Sequence, residues 1–354
     1  MAEHSEKTLT VADLGERGTL ARILPLLPSA SGMSVGPGDD SAVVGLNAPE
    51  VVTTCDMMVE GPDFRRDWSQ PEDIGYKAMS SNLADISAMG ATPLGVIIGL
   101  AAPPDTPVSD LVGIARGVAK GLADMAPEAG VLGGDLSTSP QLTLSVTVLG
   151  QLFGLHPVLR SGAQPGDIVA VTGEPGVSEH GFRILNEHTT QAGGALDPSV
   201  LAELRRQPEV LHHLAPRIDL THGPAAAQAQ ATAMMDVSDG LVLDATRMAE
   251  ASNVAIDFDS DAVVDDAWLM GGEDHGLLAT FPPEVTLPEG FHPVGVVRDY
   301  EPSADEVGTG VVSTGGVSTG GSPTPRVTVS GVAPDIERGG WDPYRDSVKT
   351  RVSP

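Results

Sequence analysis

Residues 73–91 read DIGYKAMSSNLADISAMGA, and they have the pattern of an amphipathic helix. At 3.6 residues per turn, Met79, Leu83 and Ile86 fall on one narrow apolar face, which ends in Gly90. Glycine readily adopts the left-handed conformation that ends many helices. The pattern therefore predicts a helix that packs its apolar face into a core and stops at Gly90.

The other side of this predicted helix is polar. Lys77, Ser81 and Asp85 follow one another at intervals of four residues and so lie on one face. Directly after the helix, residues 94–100 (LGVIIGL) form an apolar run with the length of a buried strand. A helix followed by a buried strand is typical of α/β proteins. Taken alone, the segment is expected to be scaffold rather than a site.

The chain is strongly acidic, with 48 acidic against 20 basic residues and a net charge of −28. Such a field repels nucleic acid and anionic membranes, so neither is an expected partner. No apolar run approaches the roughly 20 residues that span a bilayer. Residues 1–18 also lack the basic-then-apolar order of a signal peptide. We therefore expect a cytoplasmic protein.

The length of 354 residues favours two domains, because single cores stop growing at about 250–300 residues. The predicted domains are residues 1–155 and 156–354, with a flexible Gly/Ser/Thr-rich loop at about 303–325. No lysine follows a glycine, which excludes a P-loop nucleotide site. The single cysteine, Cys55, excludes an intramolecular disulfide and a cysteine-cluster metal site.

Aspartates recur at predicted strand boundaries, beside glycine or hydroxyl residues. They are Asp40, Asp56, Asp135 and Asp236. Each has a plain interpretation as a turn residue, and Ser238 or Asp239 has one as a helix N-cap. In open α/β architectures, however, such loops gather at one edge of a sheet. If they meet Asp85 there, the carboxylates need cations, and Mg²⁺ binds carboxylates together with substrate phosphates. The pattern thus favours metal-bridged phosphate chemistry.

Seven ordered motifs resemble the thiamine-monophosphate kinase family, within the aminoimidazole-ribonucleotide-synthetase-like superfamily. Besides residues 73–91, they are GPGDDSAVV (36–44), TTCDMMVEG (53–61), LGGDLSTS (132–139), RSGAQPGD (160–167), MDVSDGLVLD (235–244) and LMGGEDHGL (269–277). The resemblance implies a two-domain α+β fold, with an N-terminal ATP-binding domain of mixed sheet and helices and a C-terminal α/β domain. It further implies a homodimer formed through the N-terminal domain. The implied reaction is transfer of the γ-phosphoryl group of ATP to thiamine monophosphate, with several Mg²⁺ ions.

The resemblance also implies roles for individual residues. The implied metal ligands are Asp40, Thr54, Cys55, Asp56, Asp85, Asp135, Asp236 and Asp239, of which Asp40, Asp135 and Asp239 are catalytic. The implied ATP contacts are Gly134, Asp135, Arg160 and Ser238, and the implied thiamine contacts are Glu273 and Trp341. One position departs from the family, because Asp63 stands where many relatives have a histidine that contacts the substrate. No binding role is therefore assigned to Asp63.

The acceptor in such a reaction needs no general base, because the second ionisation of a phosphate lies near pH 6. Positioning and electrostatics then carry catalysis. Two sibling enzymes are alternatives. Selenophosphate synthetase requires a reactive cysteine and lysine near the N-terminus, which this chain lacks, and aminoimidazole ribonucleotide synthetase matches the motifs less well. A non-catalytic acidic protein that binds divalent cations is an alternative from another class.

Overall fold

The computed structural model describes residues 8–36, 41–47, 49–301 and 326–334. Several predictions lie outside the described residues, namely those for Asp40, Trp341 and the loop at 303–325. In the described part, no helix is both long enough and apolar enough to cross a bilayer.

The N-terminal region forms a four-stranded mixed sheet covered by helices. Its helices are α1 (Val11–Ile23), α2 (Pro71–Ala88) and α3 (Val108–Met125), and its strands are β1 (Met33–Val35), β2 (Val43–Val44), β3 (Val52–Val59), β4 (Thr92–Ala102), β5 (Gly130–Thr138) and β6 (Thr143–Gln151). The sheet order is β3-β6-β4-β5, in which only the β4–β5 pair is parallel. The pair β1–β2 forms a separate small ribbon.

The C-terminal region forms a six-stranded sheet with helices. Its helices are α4 (Val177–Ala192), α5 (Pro198–Leu204), α6 (Pro208–Leu214), α7 (His222–Gln228), α8 (Leu241–Ser252) and α9 (Asp266–Met270), and its strands are β7 (Ile168–Thr172), β8 (Ala233–Asp236), β9 (Val254–Phe258), β10 (Leu277–Phe281), β11 (Phe291–Asp299) and β12 (Val327–Val329). The sheet order is β12-β9-β11-β7-β10-β8. Each sheet has its own apolar core. The predicted α+β, two-domain fold is confirmed, and the boundary at residue 155 stays a prediction.

Helix α2 is more deeply buried than its amphipathic pattern predicts. Fourteen of its 18 residues are buried, so its polar side faces protein rather than solvent. Met79, Leu83 and Ile86 are fully buried in the N-terminal core, as predicted. Gly90 has a φ of 76°, which confirms it as the residue that ends the helix. The polar side of α2 therefore belongs to an interface inside the molecule.

That interface joins α2 to the C-terminal region. Ser87 donates its hydroxyl to the Leu220 carbonyl at 3.1 Å. Arg205, on the turn after α5, donates to the Asp73 carboxylate at 2.9 Å, and both side chains are largely buried. Helix α2 thus carries contacts to both domains and fixes how the two sheets face each other.

One predicted strand boundary is wrong. The glycines after Leu132 were expected to end a strand, but β5 continues through them to Thr138. Parallel pairing with β4 explains the difference, because Gly134 lies opposite Ile98 and a Cβ built there would be 2.1 Å from the Ile98 oxygen. The glycine is required by close strand packing rather than by a turn.

Candidate active site

Strand β3 and helix α2 position the first part of an acidic cluster. Residues alternate across a strand, and Thr54 and Asp56 both point towards α2. The Thr54 hydroxyl donates to the Asp85 carboxylate at 2.7 Å. The Asp56 amide donates to the Asn82 side-chain oxygen at 3.1 Å. The predicted residues Thr54, Asp56 and Asp85 are therefore brought together.

The second part of the cluster comes from the C-terminal domain. His275 lies between the domains, with Nε2 at 3.1 Å from the Ser81 hydroxyl and Nδ1 at 3.5 Å from the Asp236 carboxylate. This residue connects the polar face of α2 to the end of β8. Sequence reasoning included His275 in the GGEDHG motif but assigned it no role.

The carboxylates of the two domains are close enough to affect one another. Burial and the charge of Asp236 raise the pKa of Asp85 to about 7, although the Thr54 hydroxyl opposes this shift. Burial and the charges of Asp236 and Asp239 also raise the pKa of Asp56. Like charges that raise each other's pKa in this way form a site that favours a cation.

The loop after β8 is organised by Asp244, not by an N-cap. The sequence predicts Ser238 or Asp239 as the N-cap of α8, and this prediction is wrong, because the N-cap is Gly240 with a φ of 126°. The fully buried Asp244 accepts backbone N–H groups from Ser238, Asp239 and Gly240 at 3.1–3.3 Å. Arg247 then bridges Asp244 at 2.7 Å and Asp239 at 2.6 Å.

Cys55 and Asp135 lie on the other face of the N-terminal sheet. The Cys55 sulfur is 3.6 Å from the Ser145 hydroxyl. The register aligns Met57, Ser145, Gly99 and Asp135 in one row across the four strands, so their side chains lie on the same face. The structure therefore does not bring Cys55 or Asp135 to the side of the sheet that Thr54 and Asp56 occupy. Their roles as metal ligands stay predictions.

The remaining predicted contacts are dispersed along the rim of the site. Gly134 lies within β5, opposite Ile98. Arg160 is exposed, and its carbonyl accepts the Ser252 hydroxyl at 3.1 Å. The Ser238 carbonyl accepts the Glu273 amide at 2.8 Å, which joins the predicted ATP side to the predicted thiamine side.

Glu273 lies in a polar pocket with residues that sequence reasoning did not select. Its Oε2 is 2.8 Å from the Lys77 ammonium and 3.6 Å from Nδ1 of His213. Glu273 and His275 both have φ in the left-handed region, at 63° and 55°. Such conformations are unfavourable for residues other than glycine and are concentrated at functional sites. The sequence places Lys77 on the same helix face as Ser81 and Asp85, but no role was predicted for it.

The donor set fits a hard divalent cation. Asp56, Asp85, Asp236 and Asp239 supply carboxylate oxygens, which Mg²⁺ prefers. Burial and the charge of Asp236 raise the pKa values of Asp56 and Asp85, and a bound cation would oppose both effects. Within the described ranges, no three His, Cys, Asp or Glu side chains are already arranged closely enough to hold a metal ion.

Family models match both halves of the chain. The model for the N-terminal domain of AIR synthase related proteins matches residues 38–152, and that for their C-terminal domain matches residues 164–287. The chain is 39% identical over 307 residues to the thiamine-monophosphate kinase of Mycobacterium tuberculosis, which covers 82% of this chain and 87% of that protein. It is 38% identical to the thiamine-monophosphate kinase of Corynebacterium glutamicum, with 81% and 87% covered.

A solved structure of AaThiL in complex with AMPPCP and TMP superposes with a TM-score of 0.64 at 28% identity, covering 86% of this chain and 90% of that one. The two sheets and the acidic cluster between them thus define a two-domain α+β protein with an acidic cleft. The chain belongs to the AIR synthase related protein family.

Proposed function

We infer that this chain is a thiamine-monophosphate kinase, which transfers the γ-phosphoryl group of ATP to thiamine monophosphate and forms thiamine diphosphate and ADP. The observation that carries this inference is the meeting of Asp56 and Asp85 with Asp236 and Asp239 across the domain cleft. The 39% identity to the mycobacterial thiamine-monophosphate kinase over 82% of the chain supports the same substrates.

We propose that Mg²⁺ is held by the oxygens of Asp56, Asp85, Asp236 and Asp239. Bound divalent ions would supply the positive charge that two phosphate-bearing substrates need when they approach each other. Asp40 lies outside the described residues, and its role as a ligand stays a prediction.

The residues of the chain act by holding groups in place. Thr54 fixes one oxygen of Asp85, and Asn82 fixes the backbone of Asp56. Asp244 holds the loop that carries Asp239. No general base is required, because the acceptor phosphate is largely a dianion at pH 7. The mechanism is direct in-line transfer, in which positioning and electrostatics lower the barrier.

Glu273 is the proposed contact for the thiamine part of the acceptor. The Glu273 side chain as a whole is 37% exposed, so a ligand in the cleft can contact it. An ionised carboxylate suits the cationic thiazolium ring or the amino group of the pyrimidine ring. The corresponding roles of Trp341, Arg160 and Gly134 stay predictions, as does a cytoplasmic location.

We also propose a homodimer formed through the open face of the N-terminal sheet. Met57 and Ile97 are 61% and 41% exposed on this face, and Cys55 lies in the same row as Ile97. Exposed apolar side chains clustered on a sheet face mark interaction surfaces in soluble proteins. A second copy of the chain would cover these side chains.

The decisive experiment is incubation of the purified protein with ATP, Mg²⁺ and thiamine monophosphate, followed by chromatography of the products against a metal-free control. Metal-dependent formation of thiamine diphosphate and ADP is expected. ATP consumption without thiamine diphosphate, or with formylglycinamidine ribonucleotide as the acceptor, would move the function to a sibling enzyme. No use of ATP would favour a cation-binding protein without catalytic activity.

A further inference from the structure

Lys77 is buried in helix α2 with its charge directed at Glu273. The residue is 4% exposed, and its ammonium lies 2.8 Å from Oε2 of Glu273. The same ammonium donates to the Asp63 carbonyl at 3.3 Å. A buried ammonium is costly unless it is paired and hydrogen-bonded, so these partners hold Lys77 in one position. The chain thus maintains a charge pair that connects its two domains.

The exposures of the two side chains separate their roles. The Lys77 side chain is 5% exposed, whereas the Glu273 side chain is 37% exposed. A ligand in the cleft can therefore contact Glu273 but not Lys77. The shorter of the two contacts of Lys77, at 2.8 Å, is with Glu273, so the carboxylate of Glu273 is the route by which Lys77 acts on a ligand in the cleft.

The orientation of that carboxylate depends on Lys77. Burial lowers the pKa of His213 to about 3, and the charge of Lys77 contributes, so His213 is neutral at 3.6 Å from Glu273. Burial raises the pKa of Glu273, but the charge of Lys77 is the largest opposing effect, and the pKa falls below its ordinary value. Lys77 consequently keeps Glu273 ionised and draws Oε2 inward.

We propose that Lys77 is a positioning residue for the acceptor substrate, because it holds Oε2 of Glu273 inside the protein and leaves the other carboxylate oxygen to an amine-bearing or cationic heteroaromatic ring. The proposal rests on the proposed kinase function. The Asp63 side chain is held within its own turn, since its carboxylate accepts the Val59 amide at 2.7 Å. The Asp63 carbonyl accepts the Lys77 ammonium and so helps to hold it in place.

The test compares Lys77→Met with Lys120→Met, a matched control in which the lysine is on the surface and paired with Asp124 one helical turn away. Lys77→Met should raise the KM for thiamine monophosphate by about 10- to 100-fold, the effect of losing a hydrogen bond to a charged group. In Lys77→Met, the KM for ATP and kcat should stay within about twofold of the wild-type values. In Lys120→Met, both KM values and kcat should stay within about twofold of the wild-type values.

A double-mutant cycle separates positioning from a structural role. If Lys77 acts through Glu273, adding Lys77→Met to Glu273→Gln should raise the KM for thiamine monophosphate no further. Additive effects, an unchanged KM in Lys77→Met, or an equal rise in the KM for ATP would overturn the proposal. If Lys77→Met does not fold, Lys77→Arg is measured instead. A rise confined to the acceptor KM then supports the proposal, and an unchanged acceptor KM or an equal rise for ATP overturns it.

The failure of this proposal is distinguishable from the failure of the proposed function. A wild-type protein that makes no thiamine diphosphate refutes the function, and with it the basis of the proposal. A wild-type protein that makes thiamine diphosphate while Lys77→Met keeps its acceptor KM refutes the role of Lys77 alone.

Discussion

Acidification from pH 7.5 to pH 5 should destabilise the protein by about 2 kcal/mol through His213 alone. His213 is 9% exposed and packs edge-on against Phe182 and Trp68. Its Nδ1 is 3.0 Å from the Ser178 hydroxyl. Burial, with a contribution from the charge of Lys77, lowers the pKa of His213 from 6.5 to about 3. The folded protein therefore keeps the ring neutral.

The sign and the magnitude follow from linkage. Because the folded pKa lies below the unfolded one, the unfolded chain takes up the proton first as the pH falls. The contribution of His213 is complete above about pH 6.5 and is lost progressively towards pH 3. A pH of 5 lies about 1.5 units below the pKa of the histidine in the unfolded chain, and each pH unit below that pKa costs about 1.4 kcal/mol of folding stability.

The measurement is urea unfolding at both pH values, followed by tryptophan fluorescence, since Trp68 lies 6.3 Å from the His213 ring. In His213→Asn, the loss of unfolding free energy between pH 7.5 and 5 should be smaller than in the wild type by about 2 kcal/mol. Phe182→Leu is the matched control, because it disturbs the same cluster without removing a titratable group. A His213→Asn variant with the pH dependence of the wild type would refute the reasoning.

Three further predictions concern the cleft and the open sheet face. Asp85→Asn should raise the Tm of the metal-free protein by about 2–4 °C, since it removes a buried carboxylate that Asp236 repels, and it should reduce the stabilisation by Mg²⁺. The surface variant Glu128→Gln should change neither the Tm nor the response to Mg²⁺. If Mg²⁺ stabilises Asp85→Asn as much as the wild type, Asp85 does not bind the metal. Asp244→Ala should lower the free energy of unfolding by about 2–4 kcal/mol, because three backbone N–H groups lose their acceptor. Asp244→Asn keeps an acceptor oxygen and should lose less stability. Equal losses for the two variants in denaturant titrations would argue against Asp244 as the acceptor that holds this loop. Met57→Lys should convert the proposed dimer to a monomer, as measured by analytical ultracentrifugation. Val264→Lys, at an exposed position of the C-terminal domain, should leave the mass unchanged. If the Met57→Lys variant is still a dimer, the open sheet face is not the interface.

Local patterns were sufficient for the elements that carry the site. The apolar run predicted as a strand at 94–100 lies within β4 (Thr92–Ala102), and the helix predicted at 73–91 spans Pro71–Ala88. These elements can be predicted from residues that are close in the sequence, because the spacing of apolar side chains indicates the helix or strand and a glycine marks where the helix ends. The pattern of aspartates at strand boundaries also selected Asp56 and Asp236, which the structure brings close to Asp85, whereas Thr54 was implied only by the family resemblance.

Pairings between the domains could not be derived from local patterns. Lys77 and Glu273 are separated by 196 positions along the chain, and no periodicity relates them. The N-cap prediction for Ser238 failed because Asp244, inside the helix, accepts the N–H groups that an N-cap would satisfy. The sheet face occupied by Asp135 was equally inaccessible, because it depends on the register of β5 against β4.

Helices α2 and α3 touch backbone to backbone at Gly75 and Gly117. A methyl group at either position would lie 2.0 Å from a carbonyl oxygen of the other helix, so the two helices cannot slide past each other. Lys77 and Asp85 therefore move only with the whole N-terminal domain, while Glu273 and Asp236 belong to the other domain. Apolar side chains also join the domains, because Leu220 packs into the N-terminal core and Ala88 of α2 packs among apolar residues of the C-terminal domain. A change in the angle between the domains would therefore disturb apolar packing together with the polar contacts in the cleft.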